Sequence, residues 1–170
     1  MAAYEFSRLI KNMPSSKLVS ESQYMLAECY YRLSPDYSLD QKYTKKAVEE
    51  FQAFIDFFPT DSKVPEAEKK IIEMNDKIAY KEYTTAYIYN KLEYYQAALD
   101  YYDYVVENYH DTQYAPLSMY SKIKLLALRK RNSEAIAAIA KFIEKYPDDS
   151  HIKEMEVLKS SLEEKLSAAK

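Results

Sequence analysis

The stretch Ala97–His110, AALDYYDYVVENYH, decides the fold, because its spacing recurs three more times along the chain. Counted back from His110, a small residue lies at 12, large ones at 8 and 5 and an aromatic at 1, namely Ala98, Tyr102, Val105 and Tyr109. The other copies count back from a proline: Ala2, Phe6, Leu9 and Met13 before Pro14; Ala47, Phe51, Phe54 and Phe58 before Pro59; Ala135, Ile139, Phe142 and Tyr146 before Pro147. Steps of four and three keep side chains on one face of an α-helix, so each copy predicts an amphipathic helix with a punctuated end. Stops separated by 45, 51 and 37 residues mark a helical-repeat array.

Two residues after each stop stands Ser16, Asp61, Thr112 or Asp149, all residue types whose oxygens suit a helix N-cap. Pro65 and Pro116 follow soon after two of them and are tolerable only in a first helical turn, where the backbone N–H has no intrahelical acceptor. These signals predict eight helices, over 2–13, 17–33, 43–58, 62–90, 93–109, 113–130, 133–146 and 150–168, with SPDYSLDQK (34–42) breaking the period between the second and third. The fourth would extend on the order of 40 Å at the usual helical rise. The last, with Ile152, Met155, Leu158, Leu162 and Leu166 on one face and charge elsewhere, reads as a terminal cap. The expected architecture is all-α, a right-handed α-solenoid of tetratricopeptide-like helix pairs in one domain over residues 1–170. Phe51, Phe54, Tyr102, Val105, Ile139 and Phe142 should be buried at its seams. Helix 2–13 reads as the second half of a pair whose first half is absent, so Phe6, Leu9 and Ile10 should fold inward or support weak self-association.

Composition narrows function. With 24 basic and 27 acidic residues the net charge is −3, which leaves no whole-chain footprint for nucleic acid or an anionic bilayer. The absence of glycine removes phosphate loops, dinucleotide-binding turns and nucleophile elbows. Cys29 is the single cysteine and reads as a small buried helix residue; no apolar run approaches the roughly 20 residues that span a bilayer. Tyrosine is the opposite extreme, 19 of 170, a side chain suited to half-wet seams and binding faces.

The spacing resembles the second half of the tetratricopeptide consensus, with Tyr30 and Tyr89 where that consensus has its first-helix aromatic. Ala27, Ala86 and Ile123 stand at its glycine, and Ile123 is the departure that threatens a close helix contact. A more specific likeness follows from AECYYRLSPDYSLDQKYTKKAVEEFQAFIDFFP (27–59), the long helix, and YYQAALDYYDYVVENYHDTQYAP (94–116), with Cys29, Tyr30, Tyr31, Ser34, Pro35, Leu39, Asp40, Gln41, Thr44 and Ala47 carrying most of it. From about Ala3 to Asp149 the chain resembles the BamD (YfiO) family of outer-membrane assembly lipoproteins, without that family's signal sequence, lipid-bearing cysteine and first one and a half repeats. The resemblance implies a non-catalytic scaffold of the β-barrel assembly (BAM) machinery at the periplasmic face of the outer membrane. It would bind BamA POTRA domains, other BAM lipoproteins and unfolded barrel substrates, would need no cofactor, and would touch the membrane only through a lipid anchor outside this chain. A generic tetratricopeptide adaptor of the cell envelope is the alternative; a small-ligand regulatory domain would need a deep pocket that a shallow repeat face does not supply.

In tetratricopeptide proteins the ligand face is the inner face of the first helices. By register from Tyr30 and Tyr89 the candidate partner-binding residues are Tyr24, Glu28, Tyr31 and Arg32, then Tyr80, Tyr83, Tyr87 and Asn90, then Tyr120 and Lys124. That reading requires part of each of the Tyr80, Tyr83 and Tyr87 rings to stay accessible. His110 and His151 lack partners at ligand spacing and read as surface or capping residues, and the adjacent pairs Glu49–Glu50 and Glu163–Glu164 read as solvated faces, so no catalytic or metal residue is assigned. Lys122, Lys124, Arg129, Lys130 and Arg131 form the one basic concentration, near a helix C-terminus that favours positive charge.

Overall fold

The computed structural model describes residues 1–168. It contains helices α1 (Ala2–Asn12), α2 (Val19–Leu33), α3 (Lys42–Phe57), α4 (Val64–Lys91), α5 (Tyr95–Asn108), α6 (Tyr114–Leu128), α7 (Asn132–Lys145) and α8 (Ile152–Ala168), and no strand among those residues. Tetratricopeptide-like helix pairs with short turns are therefore the architecture.

The four stops share one backbone geometry. Met13, Phe58, Tyr109 and Tyr146 have φ of −133°, −132°, −132° and −128° and ψ of 55°, 56°, 41° and 60°. Each donates its N–H to the carbonyl four residues back, on Leu9, Phe54, Val105 and Phe142. Proline at the next position disfavours the helical region for the residue before it, which accounts for three of the four. Tyr109 adopts the same turn ahead of His110, so the turn does not depend on proline.

The four helices that follow the stops start one or two residues later than expected. The carbonyls of Ser16, Asp61, Thr112 and Asp149 accept from the amides of Val19, Val64, Ala115 and Ile152 at 3.1, 3.1, 3.2 and 3.2 Å. Ser16 Oγ, Asp61 Oδ1 and Asp149 Oδ1 accept from the amides two residues on, at 3.2, 3.0 and 2.8 Å. Thr112 Oγ1 instead donates back to the Tyr109 carbonyl at 2.7 Å. These side chains close a tight turn that precedes each helix, which is why the helices begin at positions 19, 64, 114 and 152. Pro65 and Pro116 lie in the first turns of α4 and α6 as required.

Without glycine, two other turns force ordinary residues into the left-handed region: Glu93 at φ 63° and Lys130 at φ 58°. Each follows a helix end closed by a long-reaching amide, Tyr94 N–H to the Tyr89 carbonyl at 2.9 Å and Arg131 N–H to the Leu126 carbonyl at 3.0 Å, the hydrogen bond that marks a Schellman-type cap.

The chain divides into two compact units, Met1–Lys81 and Glu82–Lys170, with the boundary inside α4. In the first, Tyr24, Ala27, Ala47, Phe51, Phe54, Ala67 and Met74 form the core, and the Tyr24 ring meets Phe51 and Phe54 edge-on at 5.7 and 5.3 Å. Burying Phe51 or Phe54 fully contributes roughly 1.5 to 3 kcal/mol each. In the second, Tyr102, Val105, Ile139 and Phe142 are buried with Ala86, Leu126, Met155 and Leu162. Ile123, the bulky substitute for the consensus glycine, is completely buried in this core, which also contains the small Ala98, Ala135 and Ala138. Cys29 is half-buried rather than buried. Phe6, Leu9 and Ile10 are half-buried, with α1 packed on α2.

Candidate protein-binding site

In the first unit the candidate face is built around a cation that sequence reading did not single out. Lys70 Nζ on α4 bonds to Glu28, to Glu66 at 3.0 Å and to the Tyr24 hydroxyl at 3.0 Å, and lies 5.2, 5.1 and 5.6 Å from the ring centres of Tyr24, Tyr31 and Phe51. Burial opposes the charge on Lys70, but the hydrogen bonds it donates to Glu28, Tyr24 and Glu66 outweigh this and hold its pKa well above the ordinary lysine value. Burial likewise pushes the Glu28 carboxyl up, and Lys70 and Arg32 more than reverse this, leaving it below the ordinary carboxylate value. Tyr31 is tied by its hydroxyl to Glu73 at 2.8 Å, a bond that raises its pKa. Tyr24 is only 5% exposed, so its ring belongs to the core and offers no binding surface, contrary to its sequence assignment. Glu28, Tyr31 and exposed Arg32 remain at the surface of an internally bonded network.

The insertion at 34–41 is folded onto the same unit. Asp36 Oδ1 accepts from the Ser38 amide at 2.9 Å, Thr44 Oγ1 donates to Gln41 Oε1 at 2.6 Å, and Lys77 Nζ reaches Ser34 Oγ at 2.9 Å. Tyr80 packs against Tyr37 of this insertion at 4.5 Å between ring centres, so it serves as a buttress.

In the second unit the stripe also separates by role. Tyr83 lies 6.0 Å from both Tyr102 and Tyr114 and packs against the core, whereas Tyr87 is 47% exposed with Lys91 5.2 Å from its ring centre. Burial, with Tyr83 nearby, pushes the Tyr102 hydroxyl up to about 12, against the lowering pull of Ser121 and Asn90, which sets Asn90 beside this buried hydroxyl. Tyr120 bonds to Glu154 at 3.0 Å and stacks near His151 at 4.3 Å. Lys124 pairs with Glu154 at 2.8 Å, which raises the lysine and lowers the carboxylate. The i, i+3, i+7 spacing is real on the helix, and the three rings differ in exposure: Tyr80 and Tyr83 are half-buried and Tyr87 is exposed.

Most of the basic concentration is likewise engaged: Lys122 with Asp103, Lys124 with Glu154, Arg131 with Glu134 at 2.6 Å, and Arg129 4.2 Å from the Tyr95 ring centre. His151 Nδ1 lies 2.7 Å from Asp149 Oδ1 and His110 is exposed beside Asp111, both at helix boundaries. No three His, Cys, Asp or Glu side chains among the described residues are grouped to hold a metal ion, and no helix among them is long and apolar enough to cross a membrane.

A concave feature of this unit lies elsewhere. Helices α5, α6 and α7 line an open groove of about 750 Å³, with Val106, Met119, Leu126 and Ala138 as its apolar part and Asp103, Glu107, Lys122 and Lys141 among its charged lining. Ala137 and Ala138 leave the α7 wall thin, and Lys145 reaches from α7 to the Val106 carbonyl of α5 at 3.4 Å.

Paired helices, a repeated stop geometry and an open groove define the chain as a tetratricopeptide-like helical-repeat protein. Residues 1–134 match the family described as YfiO, outer membrane lipoprotein, and the chain belongs to that family. It is 27% identical over 139 residues to the outer membrane protein assembly factor BamD of Rickettsia prowazekii, covering 79% of this chain and 55% of that protein. It is 25% identical over 128 residues to the factor of the same name from Caulobacter vibrioides, covering 75% of this chain and 42% of that protein. The chain thus spans about half the length of the curated relatives it matches.

Proposed function

We propose that this chain is a non-catalytic scaffold of outer-membrane protein assembly that acts at the periplasmic face of that membrane. The family match over residues 1–134 carries this reading. Its partner is a periplasmic POTRA domain of the barrel component BamA, received on the second unit, where the α5–α6–α7 groove combines an apolar floor with a charged rim in the manner of a protein interface. Tyr87, with its open ring, and the surface-facing Tyr31, Arg32, Tyr120 and Lys124 contribute contacts to unfolded barrel segments or other lipoproteins of the machinery. A photo-crosslinking residue at Lys141, on the groove rim, should capture the barrel component in the cell envelope. The same residue at Val157, exposed on α8, should not. Equal capture from both positions, or from neither, would overturn the assignment of the groove.

A further inference from the structure

We propose that one edge of the second unit docks onto an anionic bilayer surface, independently of the groove. The edge consists of two turns held side by side: Arg129 lies over the Tyr95 ring, and Arg131 Nη1 donates to Gln96 Oε1 at 3.3 Å, which joins the α6–α7 turn to the start of α5. Four large side chains on these turns and the last turn of α4 lack cover: Ile88 is 55% exposed, Leu92 58%, Tyr94 62% and Leu128 73%. Ile88 and Leu92 are four apart and share a helix face with their neighbours Tyr87 and Lys91, so the uncovered strip continues from helix into turn.

Charge decides the occupant. Lys91, Arg129 and Lys130 have no carboxylate partner in any ion pair found among the described residues; Glu93 is the opposing charge on the turns, while Arg131 and Glu134 neutralise each other. The chain's net charge of −3 hides this local positive excess. Side chains exposed to this degree stand proud of the surface, and tips of leucine and tyrosine beside lysine and arginine suit a soft interface in which the rings sit at headgroup depth and the cations meet lipid phosphates. A folded protein partner would need matching pockets for each protruding tip, which makes a lipid surface the simpler occupant. The left-handed residues Glu93 and Lys130 shape both tips, which gives these strained positions a use.

Sedimentation of the chain with vesicles of phosphatidylethanolamine and phosphatidylglycerol, against phosphatidylcholine vesicles, tests the proposal. The expected result is association with the anionic vesicles only, weakened by salt. Replacing Leu92, Tyr94 and Leu128 together by Ser should reduce it by about tenfold or more, and Lys91→Glu with Lys130→Glu should do the same. All these positions are exposed, so an unchanged helical spectrum is expected alongside. Failure of the chain to sediment with anionic vesicles overturns the proposal, as does binding that survives the triple Ser variant. If the edge instead takes an acidic protein, the wild-type chain ignores vesicles while the same variants lose capture of that protein. None of these variants touches the groove, so a failure here is distinct from a failure of the partner assignment above.

Discussion

Replacing Lys70 by Met tests the network that organises the first unit. The substitution keeps most of the apolar stem and removes the ammonium, so Glu28, whose side chain is 12% exposed, retains only Arg32, itself 76% exposed. Two unit charges about 4 Å apart attract by roughly 4 kcal/mol at an effective dielectric of about 20. Solvent access at Lys70, which is 15% exposed, and the residual Arg32 contact reduce this, and Glu66 can return to water, being 57% exposed. The loss of the Tyr24 hydrogen bond and of ring contacts adds to it, for a net cost of about 2 kcal/mol. Urea unfolding followed by circular dichroism measures the cost, and adding Glu28→Gln to Lys70→Met should recover about 1 kcal/mol by removing the stranded charge. A cost near zero for Lys70→Met, or a double variant less stable than the single, would show that the cluster is a solvated surface pair and refute the reasoning.

Phe54→Ala should destabilise by about 3 to 5 kcal/mol, because the side chain is completely buried; a urea midpoint within error of wild type would remove Phe54 from the core. Lys130→Gly should raise stability by about 1 kcal/mol in thermal unfolding, since glycine adopts the left-handed region that lysine adopts at a cost. A loss of stability there would show that the turn is not strained. Glu28, Glu66 and Glu154 have folded-state pKa values below their unfolded ones. Their contribution is therefore fully present above about pH 4.3 and is lost as pH falls through the folded values. The urea midpoint should therefore be lower at about pH 3 than at about pH 6, and equal midpoints would contradict the ion-pair assignments.

The helices were legible because their period and stops act locally. The residue before each stop repeats one backbone turn, and in α3, α5 and α7 the positions 12, 8 and 5 before the stop are buried, whereas in α1 Phe6 and Leu9 are only half-buried. Start positions were less legible, since Ser16, Asp61 and Asp149 cap a turn ahead of the helix and no sequence signal distinguishes that from a cap on the helix itself. The candidate site was legible only as a helix face. Whether Tyr80, Tyr83 or Tyr87 is open depends on Tyr37, Tyr102 and Tyr114, which lie far along the chain from it. The Lys70 network escaped for the same reason: Tyr24 and Glu28 are 46 and 42 residues away, and only the Glu66 pair lies at helical spacing. The groove needs three helices to exist at all.

Titration calorimetry of this chain with the purified POTRA domains of its barrel component, beside the variant Ala138→Arg, tests the central claim most directly. Ala138 lines the groove and is 8% exposed, so an arginine there would fill the space a partner must enter. The account predicts saturable binding by the wild-type chain and at least about tenfold weaker binding by a variant that keeps its helical spectrum. No heat of binding from the wild-type chain, or equal affinity for a folded variant, would contradict it.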